Sequence, residues 1–348
     1  MVRSPQQATP AARTNAARAW HLALVLIFLI GCGERGVEKA RKNPISQLPA
    51  GATTVGVLNF DLLRQRPDFP KMEQELLSDP ESRARLEKFK AKTGTDLLHD
   101  TGQIAFGVYA DKAEFSFLGI MVGKFDENRI VAAIREEAPA APVESKKHAK
   151  MNYYTIVESK TGRPRTFAFA FPSPQIALFA TDENLLFRGL DTLGGKGAPM
   201  EKDANFKSLL QRSDAQSTLW VVGLIPESLR DKLRDSMARD LAHVQKYSVR
   251  LRWLADLSLE IRLTSETEDE ANAVLSTLLG FKGMGSMLMH PQTSRGAKFL
   301  EKLSLRSEKS DVFISLDLTQ QEVDALLAET RPTSRTGSTS DTLPLSHP

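Results

Sequence analysis

The sequence predicts an α+β protein built of two similar units, each a mostly antiparallel sheet with helices on one face. Three observations support this. Apolar residues at every second position mark strands, and these alternate with helix signals along the chain. The order strand, helix, hairpin, capped helix, hairpin, helix occurs twice, which indicates a tandem duplication. A length of 348 residues also allows two domains of ordinary size.

The first element is a leader rather than part of the fold. Residues 1–31 hold three arginines and no acidic residue, and they include the apolar run Leu22–Ile30. A helix needs about 20 residues to cross a bilayer, so this run is too short for a membrane span. A basic segment followed by a short apolar stretch is typical of a secretory signal.

The leader ends in Leu29-Ile30-Gly31-Cys32, which resembles the lipobox of bacterial lipoproteins. The resemblance implies cleavage after Gly31, attachment of lipid to Cys32 and acylation of the new amino terminus. Several acyl chains, at about 0.8 kcal/mol per buried methylene, make a stable membrane anchor. Because Gly33 is not the aspartate that often marks retention in the inner membrane, the resemblance favours the outer membrane, facing the periplasm.

Residues 32–50 are polar and lack an apolar face, so they are predicted to be a flexible tether. The first α+β domain then covers residues 51–197. Its helices are predicted after Asp79-Pro80, after Asp126 and after Thr181. Its strands are predicted at 53–60, 103–109, 114–125, 152–157, 165–171 and 175–181, with a basic loop at 139–150.

The Gly-rich and charged segment 194–203 is the predicted domain boundary, and the second α+β domain covers 198–330. A short helical piece is predicted at 204–211, followed by a strand at 218–225. A helix from Pro226 is predicted to carry an apolar stripe of Leu229, Leu233, Met237 and Leu241. The opening portion of each unit resembles the ferredoxin-like arrangement, which implies no function. Residues 331–348 are rich in Ser, Thr and Pro and are predicted to be disordered.

Two hairpins and two capped helices complete the second domain. Apolar residues alternate with polar ones along 249–253 and 257–263, which predicts strands with one solvated face. Leu303 and Leu305 fall on another strand, whose hairpin partner spans 312–318. Capping boxes at 267–270 and 319–322 begin the last two helices, the first of which is predicted to end at Gly280.

Composition excludes several classes of function. Three of the 46 basic residues and none of the 43 acidic ones fall in the leader, so the rest of the chain is neutral. A neutral chain gives no electrostatic basis for binding nucleic acid. Cys32 is the only cysteine, so no intramolecular disulfide can form. Histidines at metal-ligand spacing and cysteine pairs are both missing, so no metal or cofactor is predicted.

No catalytic motif is present, and the prediction leans away from an enzyme. The segment Gly194-Gly195-Lys196-Gly197 lacks the spacing of a phosphate-binding loop, and Ser286 does not lie in a nucleophile elbow. A hydrolase whose site is scattered across the fold stays open as an alternative, because a triad can be assembled from residues far apart in sequence.

Two patterns suggest apolar chemistry. Phe167, Phe169 and Phe171 alternate with alanines on one strand, and Phe115 and Phe117 can extend this aromatic face. The face is predicted to pack in a core, or alternatively to line a cleft for a hydrophobic ligand. The segment 281–290 is rich in methionine and ends in His290. It is open to three interpretations: a helix end in the core, a flap over a ligand, or a Cu(I) site.

The sequence therefore leads to two main hypotheses. The first is a non-catalytic, lipid-anchored protein of the cell envelope that binds another macromolecule, such as an envelope protein, or has a structural role. The alternative is a carrier or sensor of a hydrophobic ligand, based on the phenylalanine strand. A carrier should show a continuous apolar cavity of at least several hundred cubic ångströms, whereas a binding module should show an exposed apolar patch or a mobile loop surface.

Overall fold

The computed structural model describes residues 34–111, 114–137, 141–158, 165–211, 214, 216–288 and 295–330. Its strands form one twelve-stranded sheet in which all neighbours are antiparallel. In chain order they are β1 (Thr54–Asn59), β2 (Thr101–Asp111), β3 (Glu114–Gly123), β4 (Val143–His148), β5 (Met151–Glu158), β6 (Arg165–Ser173), β7 (Ile176–Ala180), β8 (Leu219–Leu224), β9 (Lys246–Trp253), β10 (Leu257–Thr264), β11 (Ser304–Glu308) and β12 (Asp311–Leu318).

The order of the strands across the sheet is β11-β12-β10-β9-β8-β1-β2-β3-β7-β6-β5-β4. Strands of the two predicted domains therefore lie on opposite sides of the β1–β8 pair. Leu58 of β1 lies opposite Leu219 of β8, so the sheet continues without a break from one part to the other. The prediction of a mixed fold with an antiparallel sheet is confirmed.

Twelve α-helices accompany the described part of the sheet. They are α1 (Glu34–Lys42), α2 (Phe60–Arg64), α3 (Phe69–Leu76), α4 (Pro80–Thr93), α5 (Leu97–Asp100), α6 (Glu127–Glu137), α7 (Glu183–Leu193), α8 (Ala204–Leu210), α9 (Glu227–Arg234), α10 (Glu268–Leu288), α11 (Arg295–Lys302) and α12 (Gln320–Thr330). Short 3₁₀ helices lie at Pro44–Gln47, Met200–Lys202 and Arg239–His243.

The largest hydrophobic core covers one face of the sheet in its N-terminal part, and it includes residues predicted to be a tether. Ala40, Ile45 and Leu48 are buried there against α7 and the sheet. The prediction of a flexible tether is therefore wrong for residues 34–50, because Ile45 and Leu48 complete this core. Met200 and Phe206 also belong to this core, although the predicted boundary assigned them to the second domain.

A second core covers the opposite face of the same strands. Phe89 of α4 and Ile130 and Ile134 of α6 pack there against β2, β3 and β5–β7. The prediction of helices on one face is therefore wrong for the N-terminal part. Its strands carry apolar residues at successive positions, such as Ile120 and Met121, so both faces must be covered.

The C-terminal part of the sheet has one apolar and one polar face, as its alternating sequence predicts. On the polar face Arg250 pairs with Glu260, and Arg262 pairs with Asp311. On the apolar face a small core joins Val274 of α10 to strand and loop residues. The other buried residues of this core are Val244, Ala271 and Val312, with Ile225, Leu241, Leu263, Leu275 and Leu278 packed against them.

Local signals locate most helix ends. Asp79 accepts a hydrogen bond from the Ser82 amide, and Gly94 ends α4 at a φ of 73°, a conformation that glycine adopts without strain. At α10 the Thr267 amide donates to Glu270, and the Glu270 amide donates to the Thr267 hydroxyl. These helix starts are confirmed.

Other elements differ from the prediction. The segment predicted as a basic loop contains β4, which pairs with β5. The helix from Pro226 stops at Arg234, so Leu229 and Met237 do not form a buried stripe and are exposed. Helix α10 continues beyond Gly280 to Leu288, and α11 packs beside its C-terminal end. The Lys282 ammonium donates to the Leu303 carbonyl, and Leu300 of α11 lies against Gly285.

The cap of α12 leads to a first prediction. Glu322 accepts hydrogen bonds from the Lys302 ammonium at 2.6 Å and from the Thr319 amide at 2.9 Å. These donors favour the ionised carboxylate and lower the pKa of Glu322 to about 2, with the Lys302 bond as the largest cause.

We therefore expect Glu322 to remain ionised in the folded protein down to about pH 2, and a carboxyl NMR titration measures this. Since this pKa lies below the unfolded value, its contribution to stability is present above about pH 4.3 and is lost as the pH falls towards 2. In Lys302→Ala the pKa of Glu322 should rise, whereas Glu301→Ala leaves it unchanged. An unaltered pKa in Lys302→Ala contradicts the assignment.

Candidate functional site

Two rows of apolar side chains run across the centre of the sheet. In the first row Leu58, Leu219, Leu251, Leu259 and Leu316 lie on β1, β8, β9, β10 and β12, each directly opposite the next. The second row continues from Val221 through Val249 and Ile261 to Ile314. We call these residues, with Phe106, Val108 and Phe117 of β2 and β3, the central apolar face.

Backbone register places all of these side chains on one face. Residues directly opposite each other in an antiparallel pair point to the same side. On β1, Gly56 connects the second row on β8 to Phe106 on β2. Gly56 lies opposite both Phe106 and Val221. The Phe106 ring occupies the space above this glycine, since a Cβ there would lie 2.5 Å from its Cζ. Glycine therefore allows the aromatic ring to extend the second row to β2.

The central apolar face is only partly covered. All twelve of its side chains are half-buried, and none of them belongs to the three hydrophobic cores found among the described residues. The sheet residues that share the face at β1, β8 and β9 include no charged side chain, and the hydroxyl groups of Thr54 and Tyr247 hydrogen-bond each other at 2.8 Å. This face is therefore a contiguous apolar surface that reaches solvent.

Helices bound the face on two sides. Helices α4 and α6 cover its continuation on the N-terminal strands, and α10 packs beyond it against Leu263 and Val312. The C-terminal end of α10 also exposes apolar side chains to solvent, namely Leu279, Met284, Met287 and Leu288. The methionine-rich segment is therefore partly exposed here and does not complete a core. Met289 and His290 lie outside the described residues, so the Cu(I) interpretation stays a prediction.

One end of the face carries a buried arginine. Trp253 follows Leu251 on the same side of β9, and the Arg66 guanidinium stacks on its ring with Cζ 4.0 Å from the ring centroid. Arg66 donates to Asp68 at 2.5 Å and to Gln320 at 3.1 Å. This cluster joins the segment between α2 and α3 to the start of α12.

The phenylalanine strand of the sequence analysis lies on the same face of the sheet but under a helix layer. Phe169 and Phe171 are only 2% and 1% exposed, and Phe169 stacks on Tyr154 at 5.2 Å. The Tyr154 hydroxyl donates to Glu127 of α6, and burial raises the pKa of that carboxyl. These rings belong to a core, whereas Phe117, proposed as their extension, lies in the central apolar face.

Polar clefts occur elsewhere. A cleft of about 600 Å³ is lined by Arg230, Arg234 and Arg239 together with Asp240, Glu266 and Glu270. Its positive and negative side chains balance, so it favours no charged ligand. Within the described ranges, no three histidine, cysteine or carboxylate side chains are grouped to hold a metal.

The predicted lipidation site lies outside the described residues, as do the rest of the leader and the tail at 331–348. Gly31 and Cys32 therefore remain predictions from the sequence alone. Among the helices that are described, none has both the length and the apolar composition to cross a bilayer.

Comparisons with known proteins add a distant likeness of fold. No protein-family model and no curated protein matches the chain. Crystal form I of TP0453 is similar over 82% of this chain and 97% of its own, with 11% identity and a TM-score of 0.47. Crystal form IV covers 83% and 99% at the same identity and TM-score. Likeness at this level gives no argument about function.

Proposed function

We propose that this chain is a non-catalytic binding protein of the cell envelope, anchored by lipid on Cys32, whose central apolar face holds the acyl chain of an amphiphile. The observation that carries the proposal is a continuous apolar sheet surface that no described core covers. An open apolar surface is also the feature expected of a binding module, and we choose the carrier or sensor of a hydrophobic ligand because of the dimensions and the chemistry of the face. A macromolecular partner stays a prediction.

The dimensions of the face suit an acyl chain. From β2 to β12 it crosses six neighbouring strands, β2, β1, β8, β9, β10 and β12. At about 4.8 Å between neighbours, this is a distance of about 24 Å. The acyl chains of one bilayer leaflet span about 15 Å, which is half of the hydrocarbon core. A chain of this span therefore fits along the second row, which reaches from β2 to β12.

The chemistry of the face also favours an acyl chain over a protein surface. Protein interfaces use about one hydrogen bond per 100–200 Å². The backbone groups of the two rows are engaged in the sheet, and their side chains offer no donor or acceptor. A hydrocarbon chain needs neither, and it gains free energy from each methylene removed from water.

The test uses the two tryptophans of the folded body as reporters. Trp253 lies at the end of the central apolar face, whereas Trp220 is buried in the core on the opposite face. Two full-length variants isolate them: Trp20→Phe with Trp220→Phe reports Trp253, and Trp20→Phe with Trp253→Phe reports Trp220. We expect methyl 9,10-dibromostearate, whose bromines quench on contact, to quench Trp253 and to leave Trp220 unchanged.

A matched pair of substitutions on β10 locates the site. Leu259→Asp introduces a charge on the central apolar face and should weaken the binding of the brominated ester about tenfold or more, because an ionised carboxylate is costly beside a hydrocarbon. Ser258→Asp introduces the same side chain on the opposite face and should leave binding unchanged. Equal quenching of both tryptophans, or a dimer in native mass spectrometry that hides Trp253, contradicts the proposal.

The anchor needs its own test, since it rests on the lipobox resemblance alone. Cys32→Ser should block lipid attachment and release the chain from the membrane fraction of the producing cell. A variant that is still processed and remains membrane-bound excludes the lipoprotein interpretation.

We also infer that the two parts of the chain arose by duplication, as the sequence suggested. The strand order supports this inference: β1-β2-β3 and β8-β9-β10 run outwards from the β1–β8 pair, and each set continues to a later hairpin. In each part a helix, α6 or α10, follows the third strand.

A further inference from the structure

The buried arginine at the end of the central apolar face has unused hydrogen-bonding groups. Arg66 is 3% exposed, yet its Nε and Nη1 atoms have no hydrogen-bond partner. Asp68 Oδ1 and Trp253 Nε1 are also buried without one. A buried donor or acceptor left unpaired costs free energy, so this cluster gains if a polar group of another molecule pairs with it.

The unpaired atoms define a mixed pattern. Arg66 and Trp253 present N–H donors, and Asp68 presents an acceptor. A group that pairs with both kinds must itself accept and donate hydrogen bonds. A glyceryl ester does so through its carbonyl and hydroxyl groups.

The surrounding charges argue against an ionised ligand group. Arg66 is paired with Asp68, and Lys71 is paired with Asp324 at 3.3 Å. Asp256 adds a further negative charge where it accepts the Gln320 amide at 3.1 Å. A negative head group would meet a net negative cluster, and a positive one would meet the N–H donors of Arg66. An uncharged group avoids both costs.

We propose that Arg66, Asp68 and Trp253 form a subsite for the uncharged head group of an amphiphile, one that both accepts and donates hydrogen bonds, as a glyceryl ester does. The inference rests on the proposed function, since the acyl chain of this amphiphile lies on the central apolar face. Trp253 is the next residue after Leu251 on the same face of β9, so head group and chain are brought together.

The same cluster also connects distant parts of the chain, because Gln320 hydrogen-bonds both Arg66 and Asp68. A purely structural role predicts that substitutions lower stability and affect all ligands alike. The head-group role predicts a loss that depends on the head group, and this difference separates the two.

The experiment compares three ligands with the same oleoyl chain on the purified full chain stripped of lipid. Each ligand displaces methyl 9,10-dibromostearate, and recovery of Trp253 fluorescence reports its affinity. We expect 1-oleoylglycerol to bind about tenfold more tightly than methyl oleate, because two more hydrogen bonds are worth about this factor. Oleate should bind more weakly than 1-oleoylglycerol.

Arg66→Met combined with Asp68→Asn removes both charges together, so neither remains buried alone. The affinity of this double variant for 1-oleoylglycerol should fall to its affinity for methyl oleate. The affinity for methyl oleate should be the same as in the wild-type chain. If the double variant does not fold, Trp253→Phe keeps an aromatic ring at this position and removes the indole N–H together with the five-membered ring. It should weaken 1-oleoylglycerol about threefold by native mass spectrometry, without weakening methyl oleate.

Several results overturn the subsite. The first is equal affinity of the wild-type chain for 1-oleoylglycerol and methyl oleate. The second is tighter binding of oleate than of 1-oleoylglycerol. The third is a preference for 1-oleoylglycerol over methyl oleate that is retained in both variants. Failure of the proposed function looks different, because the brominated ester then does not quench Trp253 at all.

Discussion

Replacing Phe169 with alanine is expected to lower the free energy of unfolding by about 3–5 kcal/mol. The ring packs against Tyr154 and Phe171 beneath α6. The substitution leaves a cavity that these rigid rings fill incompletely. Chemical denaturation followed by circular dichroism measures the loss.

Phe115→Ala is the matched control, because the same ring at this position is 72% exposed. It should change the free energy of unfolding by less than about 0.5 kcal/mol. If Phe169 instead lines a ligand cleft, Phe169→Ala will cost little stability and will change ligand binding. That outcome contradicts its assignment to the core.

Deleting residues 34–50 is expected to remove most of the stability of the fold. Leu48 is 0% exposed, and the Leu48 carbonyl accepts a hydrogen bond from the Met200 amide at 2.7 Å. The Tyr109 hydroxyl donates to the Pro49 carbonyl at 2.8 Å. Loss of Ile45 and Leu48 alone should cost about 2–5 kcal/mol each, against a total of about 5–15 kcal/mol for a typical domain.

A single substitution tests the same point in the intact chain. Leu48→Ala should lower the free energy of unfolding by about 2–5 kcal/mol, whereas Leu254→Ala, in the exposed turn between β9 and β10, should have little effect. A deletion variant as stable as the full chain would restore the tether prediction for residues 34–50.

Much of the local structure could be predicted from short-range signals. Caps such as Asp79-Pro80 and the box of Thr267 and Glu270 act within one helical turn, so their residues carry the information themselves. The alternation of apolar and charged residues along β10 likewise determines which side chains share a face. These features follow from backbone geometry and do not depend on distant parts of the chain.

The candidate site could not be predicted in the same way. The sequence indicated that Leu259 and Ile261 lie on an apolar face, but not whether a helix covers it. Their partial exposure depends on where α4, α6 and α10 pack. The phenylalanine strand shows the converse, since Phe169 has an equally apolar pattern and is buried beneath α6.

Arg66 illustrates the same limit for a polar residue. Nothing in the sequence around it signals burial, because its partners Trp253 and Gln320 lie about 190 and 250 residues away. Residues 34–50 likewise lack a clear apolar stripe, yet Ile45 and Leu48 are buried. The sequence by itself determined most of the strands, the caps, the neutral charge and the lipobox pattern. Only the tertiary structure decided which apolar surfaces are covered, because coverage depends on contacts between segments that are far apart in the chain.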